Sequence, residues 1–218
     1  MTPPNTPGLF ITLEGPEGSG KSTHAPRLAE YVRSLGRDVL LTREPGGTSI
    51  GDQIRSVLND HANAAIKPSA ETLLFCASRA QLVSQMIRPH LERGGTVVCD
   101  RFSDSTMAYQ GYGHGLDRSV LLSICDFASG QLKPDMTLLL DLPVEIGLAR
   151  RRHGKGDWNR LDALEVDFHQ RVRQGYLELA RQEPSRWIRI DAEKEEEDVW
   201  SQILNAVTSR IGSGKDNC

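Results

Sequence analysis

The chain has 218 residues, of which 38% are hydrophobic and 25% are charged, a composition typical of a folded domain and not of a disordered chain. Its formal net charge of −3 provides no global attraction for nucleic acid, and no apolar run approaches the roughly 20 residues that span a bilayer. We therefore expect neither a nucleic-acid partner nor a membrane anchor.

The first eight residues and the cysteines indicate where the protein works. Residues 1–8 lack both a basic start and an apolar stretch, so they predict a disordered leader and not a signal peptide. Four scattered cysteines form no C-x-x-C pair, which indicates neither a zinc site nor a disulfide framework. We expect buried thiols in a reducing compartment, and thus a cytoplasmic protein.

Strand-like segments alternate with helical stretches along the chain. The strands are predicted near 9–14, 38–42, 96–100, 136–141 and 186–191. This alternation predicts an α/β fold with a parallel five-stranded sheet. Two of the strands are apolar without alternation, so we expect helices on both faces of the sheet.

The first strand leads into residues 15–23, which match the phosphate-binding loop G-x-x-x-x-G-K-[ST]. Glycines let backbone N–H groups close around a phosphate, and the following helix adds its positive end. A glycine-rich turn that only caps a helix is the alternative, which the strand–loop–helix context disfavours. The residues predicted to bind the phosphates of a nucleoside triphosphate are Gly15, Pro16, Glu17, Gly18, Ser19, Gly20, Lys21, Ser22 and Thr23, with Lys21 at the β- and γ-phosphates and Ser22 at Mg²⁺.

Helices are predicted between the strands, over about 21–35, 69–92, 117–129, 162–183 and 195–211, with another starting at Pro143. Pro26 lies inside the first of them, and proline is tolerated only in the first helical turn. We therefore expect this helix either to start near Ala25 or to carry a local irregularity.

Polar residues follow the second and third strands, at the edge where open α/β sheets bind ligands. Arg43 is predicted to contact a phosphate there, with a solvated loop arginine as the alternative. Asp100 ends an apolar strand as in the Walker B arrangement, where the carboxylate positions Mg²⁺. Arg101 would face a second anion. Alternatively, Asp100 and Arg101 are an acid at a helix start and a surface base.

Two further regions have open interpretations. For Phe75 the sequence favours core packing, and for Arg79 a surface ion pair is equally ordinary. Residues 150–160 are rich in basic residues and contain two glycines. Taken alone, this composition favours a solvated loop. The phosphate loop elsewhere favours a lid, because phosphoryl transfer depends on stabilising charged oxygens. Residues 9–211 are predicted to form one domain, and 212–218 a frayed tail.

Four segments in this order make the chain similar to bacterial thymidylate kinases: residues 14–23, 42–48, 74–81 and 100–110. The resemblance covers about residues 10–207. It implies a P-loop NTPase fold, phosphoryl transfer from ATP–Mg²⁺ to dTMP to give dTDP, and a homodimer. Transfer would be in line and without a covalent enzyme intermediate.

The resemblance also implies roles for individual residues. Lys21 would contact the transferring phosphate, with Ser22 and Asp100 at the metal. The implied dTMP contacts are Arg43 and Arg101 at the phosphate, Phe75 stacked on thymine, and Arg79, Ser105 and Gln110 at the base edge. Glu17 would accept from the sugar 3′-hydroxyl, and Tyr109 would crowd the 2′ position and disfavour ribonucleotides. The Glu44–Pro45 bond would be cis.

The basic lid places this chain with one bacterial subclass. Some relatives carry an arginine where this chain has Gly18, whereas here the arginines lie around 150–160. The match weakens at residues 159–162, so Arg150, Arg152 and Arg160 are all candidates to reach the transition state. Arg152 and Arg160 are placed among the predicted catalytic residues. Arg150 and the Asp191-Ala192 turn are candidates for the base end of ATP.

Two rival functions remain. One is another small-molecule kinase, such as a deoxynucleoside kinase or a different nucleoside-monophosphate kinase. A nucleoside acceptor is disfavoured, because it has no charge for Arg43 and Arg101 to neutralise. The other is a non-enzymatic nucleotide switch, which the intact Lys21, Ser22 and Asp100 disfavour.

Overall fold

The computed structural model describes residues 8–153 and 158–212. Its centre is a sheet of five strands: β1 Leu9–Glu14, β2 Val39–Arg43, β3 Thr96–Asp100, β4 Met136–Asp141 and β5 Trp187–Asp191. All neighbours are parallel, in the order β2-β3-β1-β4-β5. The predicted fold class is confirmed, and every strand lies within one residue of its predicted bounds.

Helices fill the connections between the strands. Those in the described residues are α1 Lys21–Ser34, α2 Ser49–Asn59, α3 Pro68–Leu82, α4 Arg88–Glu92, α5 Ser103–Thr106, α6 Arg118–Ser129, α7 Val144–His153, α8 Val166–Gln182 and α9 Glu196–Gly212. A π-helical segment, Val83–Ile87, joins α3 to α4, and a second, Met107–Gly113, extends α5. Helix α8 begins four residues later than predicted, and α2 had no counterpart in the sequence analysis.

Helix α1 begins at Lys21 and runs through Pro26, so of the two predicted alternatives the start near Ala25 is wrong. Proline has no amide hydrogen, so the Ser22 carbonyl receives no helical bond from residue 26. Burial of Leu28, Ala29 and Val32 against the sheet holds the helix together across this point.

The sheet is covered on both faces, as its apolar strands predicted. On one face, Ile11 and Leu138 pack with residues of α1 and α9, among them Trp200. On the other, Phe10 packs beneath the end of α3 and the π-helical segment that follows it, while Leu139 packs under α8. None of the helices in the described part of the chain has the length and apolar character needed to cross a membrane.

The carboxyl ends of the strands lie along one edge and present the predicted site residues. β1 runs into the phosphate loop, β2 into Glu44 and β3 into Arg101. The Glu44–Pro45 bond is cis, as the family resemblance implied. Residues 1–7, 154–157 and 213–218, which hold nearly all of the predicted leader and tail and part of the predicted lid, lie outside the described residues.

Candidate active site

The phosphate loop wraps around the Lys21 side chain. Its Nζ donates to Gly15 O at 3.0 Å, Pro16 O at 2.8 Å and Ser19 Oγ at 2.9 Å. Burial, reinforced by the charge of Arg101, lowers the pKa of Lys21 to about 8. The acceptors around the ammonium are all neutral oxygen atoms. A phosphate oxygen can replace them, because its hydrogen bond to the ammonium is charge-assisted and therefore stronger.

Glycine at position 18 is required by close backbone packing. Its φ is +68°, and a Cβ there would lie 2.0 Å from Gly147 O on α7. In turn, a Cβ on Gly147 would lie 2.2 Å from Glu17 O. Neither glycine can carry a side chain, because the backbones of the loop and α7 lie too close together. This is a steric reason why position 18 does not hold an arginine.

Arg101 forms an ion-paired cluster with the loop. Its Nη2 donates to Glu17 Oε1 at 2.9 Å and to Tyr109 Oη at 2.9 Å. Burial raises the pKa of Glu17, but the charges of Arg101 and Lys21 outweigh it and hold that pKa at about 2. Arg101 also has a φ of 71°, a left-handed conformation that is strained for a non-glycine residue and is found mostly at functional sites.

Behind Arg101 lies a buried carboxyl group, Glu14. Arg101 Nη1 donates to Ser105 Oγ at 3.2 Å and to Tyr176 Oη at 3.0 Å. Both hydroxyls donate to Glu14 Oε2, at 2.6 and 2.9 Å. Burial and the charge of Asp104 raise the pKa of Glu14 to about 7. Ser105, predicted at the base edge, is thus bonded to Glu14 and Arg101 in this structure.

One cavity of about 760 Å³ opens in front of the loop. It brings together most of the residues predicted for catalysis and dTMP binding: Glu17, Lys21, Ser22, Arg43, Phe75, Arg79, Asp100, Arg101, Ser105, Tyr109 and Gln110. It is also lined by α2 and the turn after it, through Arg55, Asn59 and His61, which the sequence analysis missed. The helical spacing of polar residues 52, 55, 56 and 59 was the available signal.

The two arginines on the acceptor side have different environments. Arg43 is half-exposed, with its Nη2 3.3 Å from Asp52 Oδ1. Arg79 is 1% exposed, and its Nε donates to Glu44 Oε2 at 2.9 Å. The alternative of a surface ion pair is therefore wrong for Arg79, which forms a buried ion pair in the cavity wall.

A second cavity of about 480 Å³ adjoins the first and shares residues 18–20 of the loop with it. Thr23, Arg150 and Ala192 are among the residues that line it. Arg150 Nη1 donates to Ala192 O at 2.6 Å, and its Nη2 donates to Glu193 O at 3.0 Å. The structure thus brings together the two features that were candidates for the base end of ATP.

The arginines of residues 150–160, the basic segment, lie in different environments. Arg152 is exposed, with its guanidinium 5.3 Å from the centre of the Trp158 ring. Arg160 is buried, donating from Nε to Leu58 O at 3.0 Å and from Nη2 to Glu71. Arg151, which the sequence analysis passed over, lines both cavities and pairs with buried Asp162.

Two oxygen ligands suited to Mg²⁺ line the larger cavity. Asp100 ends β3, and the exposed Ser22 lies at the start of α1. Mg²⁺ is usually held by one or two protein oxygens together with substrate phosphates and water. A carboxylate and a hydroxyl beside a phosphate loop fit that pattern.

Comparisons with known proteins agree with this geometry. The family model described as thymidylate kinase matches residues 13–203. Thymidylate kinases of Herpetosiphon aurantiacus and Trichlorobacter lovleyi are 48% and 50% identical, each over 93% of this chain and over 96% and 98% of their own. The crystal structure of thymidylate kinase from Ehrlichia chaffeensis superposes with a TM-score of 0.74 at 32% identity, covering 92% of this chain and 99% of that one. Sequence, fold and the phosphate-loop cavity thus agree, and the chain belongs to the thymidylate kinase family of nucleoside-monophosphate kinases.

Proposed function

We propose that this chain transfers the γ-phosphoryl group of ATP to dTMP, yielding ADP and dTDP. The observation that carries the proposal is a single cavity lined by both the phosphate loop and a set of acceptor-side residues. Arg43 and Arg101 would receive the dTMP phosphate, and Phe75 would stack on the base. A nucleoside acceptor has no phosphate for these two cations to bind.

ATP would enter from the neighbouring cavity, with its phosphates on the loop. Gly15 to Thr23 would surround them, and Arg150 with the turn at Ala192 would contact the base. The γ-phosphate would then lie at Lys21, which borders the acceptor cavity. The donor and acceptor phosphates would then meet at this lysine.

Catalysis would rest on positioning and charge neutralisation. Lys21 would exchange its bonds to loop carbonyls for the transferring phosphoryl oxygens. Arg101 would neutralise the attacking phosphate, whose oxygen needs no strong base. Mg²⁺, held by Ser22 and Asp100, would neutralise charge on the β- and γ-phosphates when bound.

Three arginines of the basic segment receive proposed roles from where their side chains lie. Arg151 lines both cavities, so it joins Arg152 as a candidate to stabilise the transition state. Arg160 would act as a positioning residue at the base of the segment, because its side chain is held by Glu71 and Leu58 O. Residues 150–160 would form a lid, and residues 9–211 would form one kinase domain.

The test is an acceptor screen with ATP, following ADP release. We expect dTMP to be the preferred acceptor, with Lys21→Ala as the inactive control. Turnover of dCMP or thymidine well above that of dTMP would defeat the assignment and favour a different small-molecule kinase. Absence of ADP release with every acceptor would instead support a non-enzymatic nucleotide switch.

We also infer that the chain forms a homodimer in the cytoplasm. Exposed apolar side chains on α3 and α6, including Leu73 and Phe127, which is 89% exposed, offer a surface for a second copy. The buried, unpaired thiols of Cys76, Cys99 and Cys125 suit a reducing compartment. Phe127→Asp should shift the mass measured by light scattering from dimer to monomer; an unchanged mass would remove this surface from the interface.

A further inference from the structure

A buried carboxylate, Glu71 on α3, connects the acceptor side of the cavity to the basic segment. Glu71 is 1% exposed. Its Oε1 accepts from Gln110 Nε2 at 2.8 Å and lies 3.3 Å from His114 Nε2, and its Oε2 accepts from Arg160. Two predicted site residues, far apart in the sequence, therefore meet at one side chain that the sequence analysis did not single out.

Glu71 is an acceptor only. Burial raises its pKa, but His114 at 3.3 Å and the hydrogen bonds from Arg160 and Gln110 outweigh that effect and leave the pKa below its usual value. An ionised carboxylate has no proton to donate, so the Gln110 amide can bond to it only through its NH₂ group. The carbonyl oxygen, the only acceptor of the Gln110 amide, is then not bonded to Glu71, and it is the atom that can accept from a ligand in the cavity that Gln110 lines.

We propose that Glu71 is a positioning residue that fixes the Gln110 amide and thereby selects acceptor bases that present a ring N–H. Thymine and uracil carry a proton on N3, which a carbonyl oxygen accepts. Cytosine has no proton on N3. The lone pair of its N3 would face the lone pairs of the carbonyl oxygen, and the two acceptors would repel each other. The inference rests on the proposed function, because it assumes that the acceptor base lies at Gln110.

Glu71→Gln tests the orientation directly. The new amide has one oxygen, and Arg160, which can only donate, requires it. Its NH₂ group then faces Gln110, whose amide must turn over to bond to it and so presents NH₂ to the cavity. We expect the ratio of kcat/KM for dTMP to that for dCMP to fall about tenfold or more, since mispairing a buried polar group typically costs this much. The dTMP to dUMP ratio should not change, because both bases carry the same N–H.

Ratios within one enzyme preparation do not depend on the folded fraction, so loss of stability cannot imitate this result. Glu30→Gln, the same substitution at an exposed position of α1, is the matched control and should leave both ratios unchanged. In a Gln110→Ala background, Glu71→Gln should have no further effect on the dTMP to dCMP ratio. An effect that persists there, or an equal loss of activity with all three acceptors, overturns the proposal.

Two measurements keep the inference separate from the proposed function. If the wild-type protein phosphorylates dTMP but Glu71→Gln keeps its discrimination, only the role of Glu71 fails. If the wild type turns over no thymine nucleotide, the proposed function fails, and equilibrium binding of dTMP and dCMP without ATP measures the Glu71 effect alone. Should Glu71→Gln not fold, Glu71→Asp, which keeps an acceptor-only carboxylate, should retain the preference for dTMP; its loss would contradict the proposal.

Discussion

Tyr109 Oη donates a 2.6 Å hydrogen bond to Glu17 Oε1, which ties the residue predicted at the sugar 2′ position to the one predicted at the 3′-hydroxyl. Burial raises the pKa of Tyr109 well above its usual range, so its hydroxyl remains protonated and donates. The aromatic ring lies beside Phe168 and Tyr176, which restrict its movement. Ring and hydroxyl therefore have separable roles.

Tyr109→Ala should increase the use of ribonucleotide acceptors, because it removes the ring that crowds the 2′ position. Tyr109→Phe keeps the ring, so we expect it to retain discrimination against ribonucleotides while raising KM for dTMP through a less well oriented Glu17. The measurement is kcat/KM for dUMP and UMP in both variants. Unchanged discrimination in Tyr109→Ala would count against the steric role.

Arg160→Ala should lower both activity and stability. It leaves the buried carboxylate of Glu71 without its cation, a change that typically costs about 3–5 kcal/mol. We expect kcat to fall far more than dTMP affinity, because the basic segment would lose its anchor beside the cavity. Urea unfolding and steady-state kinetics measure the two effects.

Arg152→Ala is the matched comparison for Arg160, since its guanidinium is exposed over Trp158. Unfolding free energy should change by less than about 0.5 kcal/mol, as for most surface substitutions. A large fall in kcat without loss of stability would assign the transition-state contact to Arg152. A pure loss of dTMP affinity in Arg160→Ala, by contrast, would remove Arg160 from any role in the basic segment.

Glu14 should make the protein less stable as the pH rises. Its pKa is about 7 in the folded state against 4.5 as the ordinary value, so between these pH values the folded state binds more protons than the unfolded one. The free energy of unfolding therefore falls with rising pH across this window, by up to about 3 kcal/mol from this group. The loss is half-way through its last step at pH 7 and is complete about one pH unit higher.

Glu14→Gln removes this titration. We expect its unfolding free energy, relative to the wild type, to increase between pH 4.5 and pH 7.5. Urea denaturation at several pH values, with Glu30→Gln as the exposed control, makes the comparison. Parallel curves for the wild type and Glu14→Gln would show that the carboxyl group ionises normally.

The sequence was sufficient to predict the sheet and the edge that carries the site. Strands such as β4 are apolar and short, and helices have their own period, so both signals are local. The phosphate loop is equally local, because nine consecutive residues supply its glycines, lysine and hydroxyls. Parallel strands end at a common edge, and this alone placed Arg43 and Asp100 near Lys21.

The tertiary structure decided which polar groups bond to one another. Glu71 meets Arg160, 89 residues later, and Glu14 meets Tyr176, 162 residues later. No periodicity reports such contacts, because they depend on how α3 and α8 pack against the sheet. The sequence by itself thus determined the fold, the family and the set of charged residues, whereas only the packing of helices on the sheet determined which of those charges are buried, paired and turned toward the cavity.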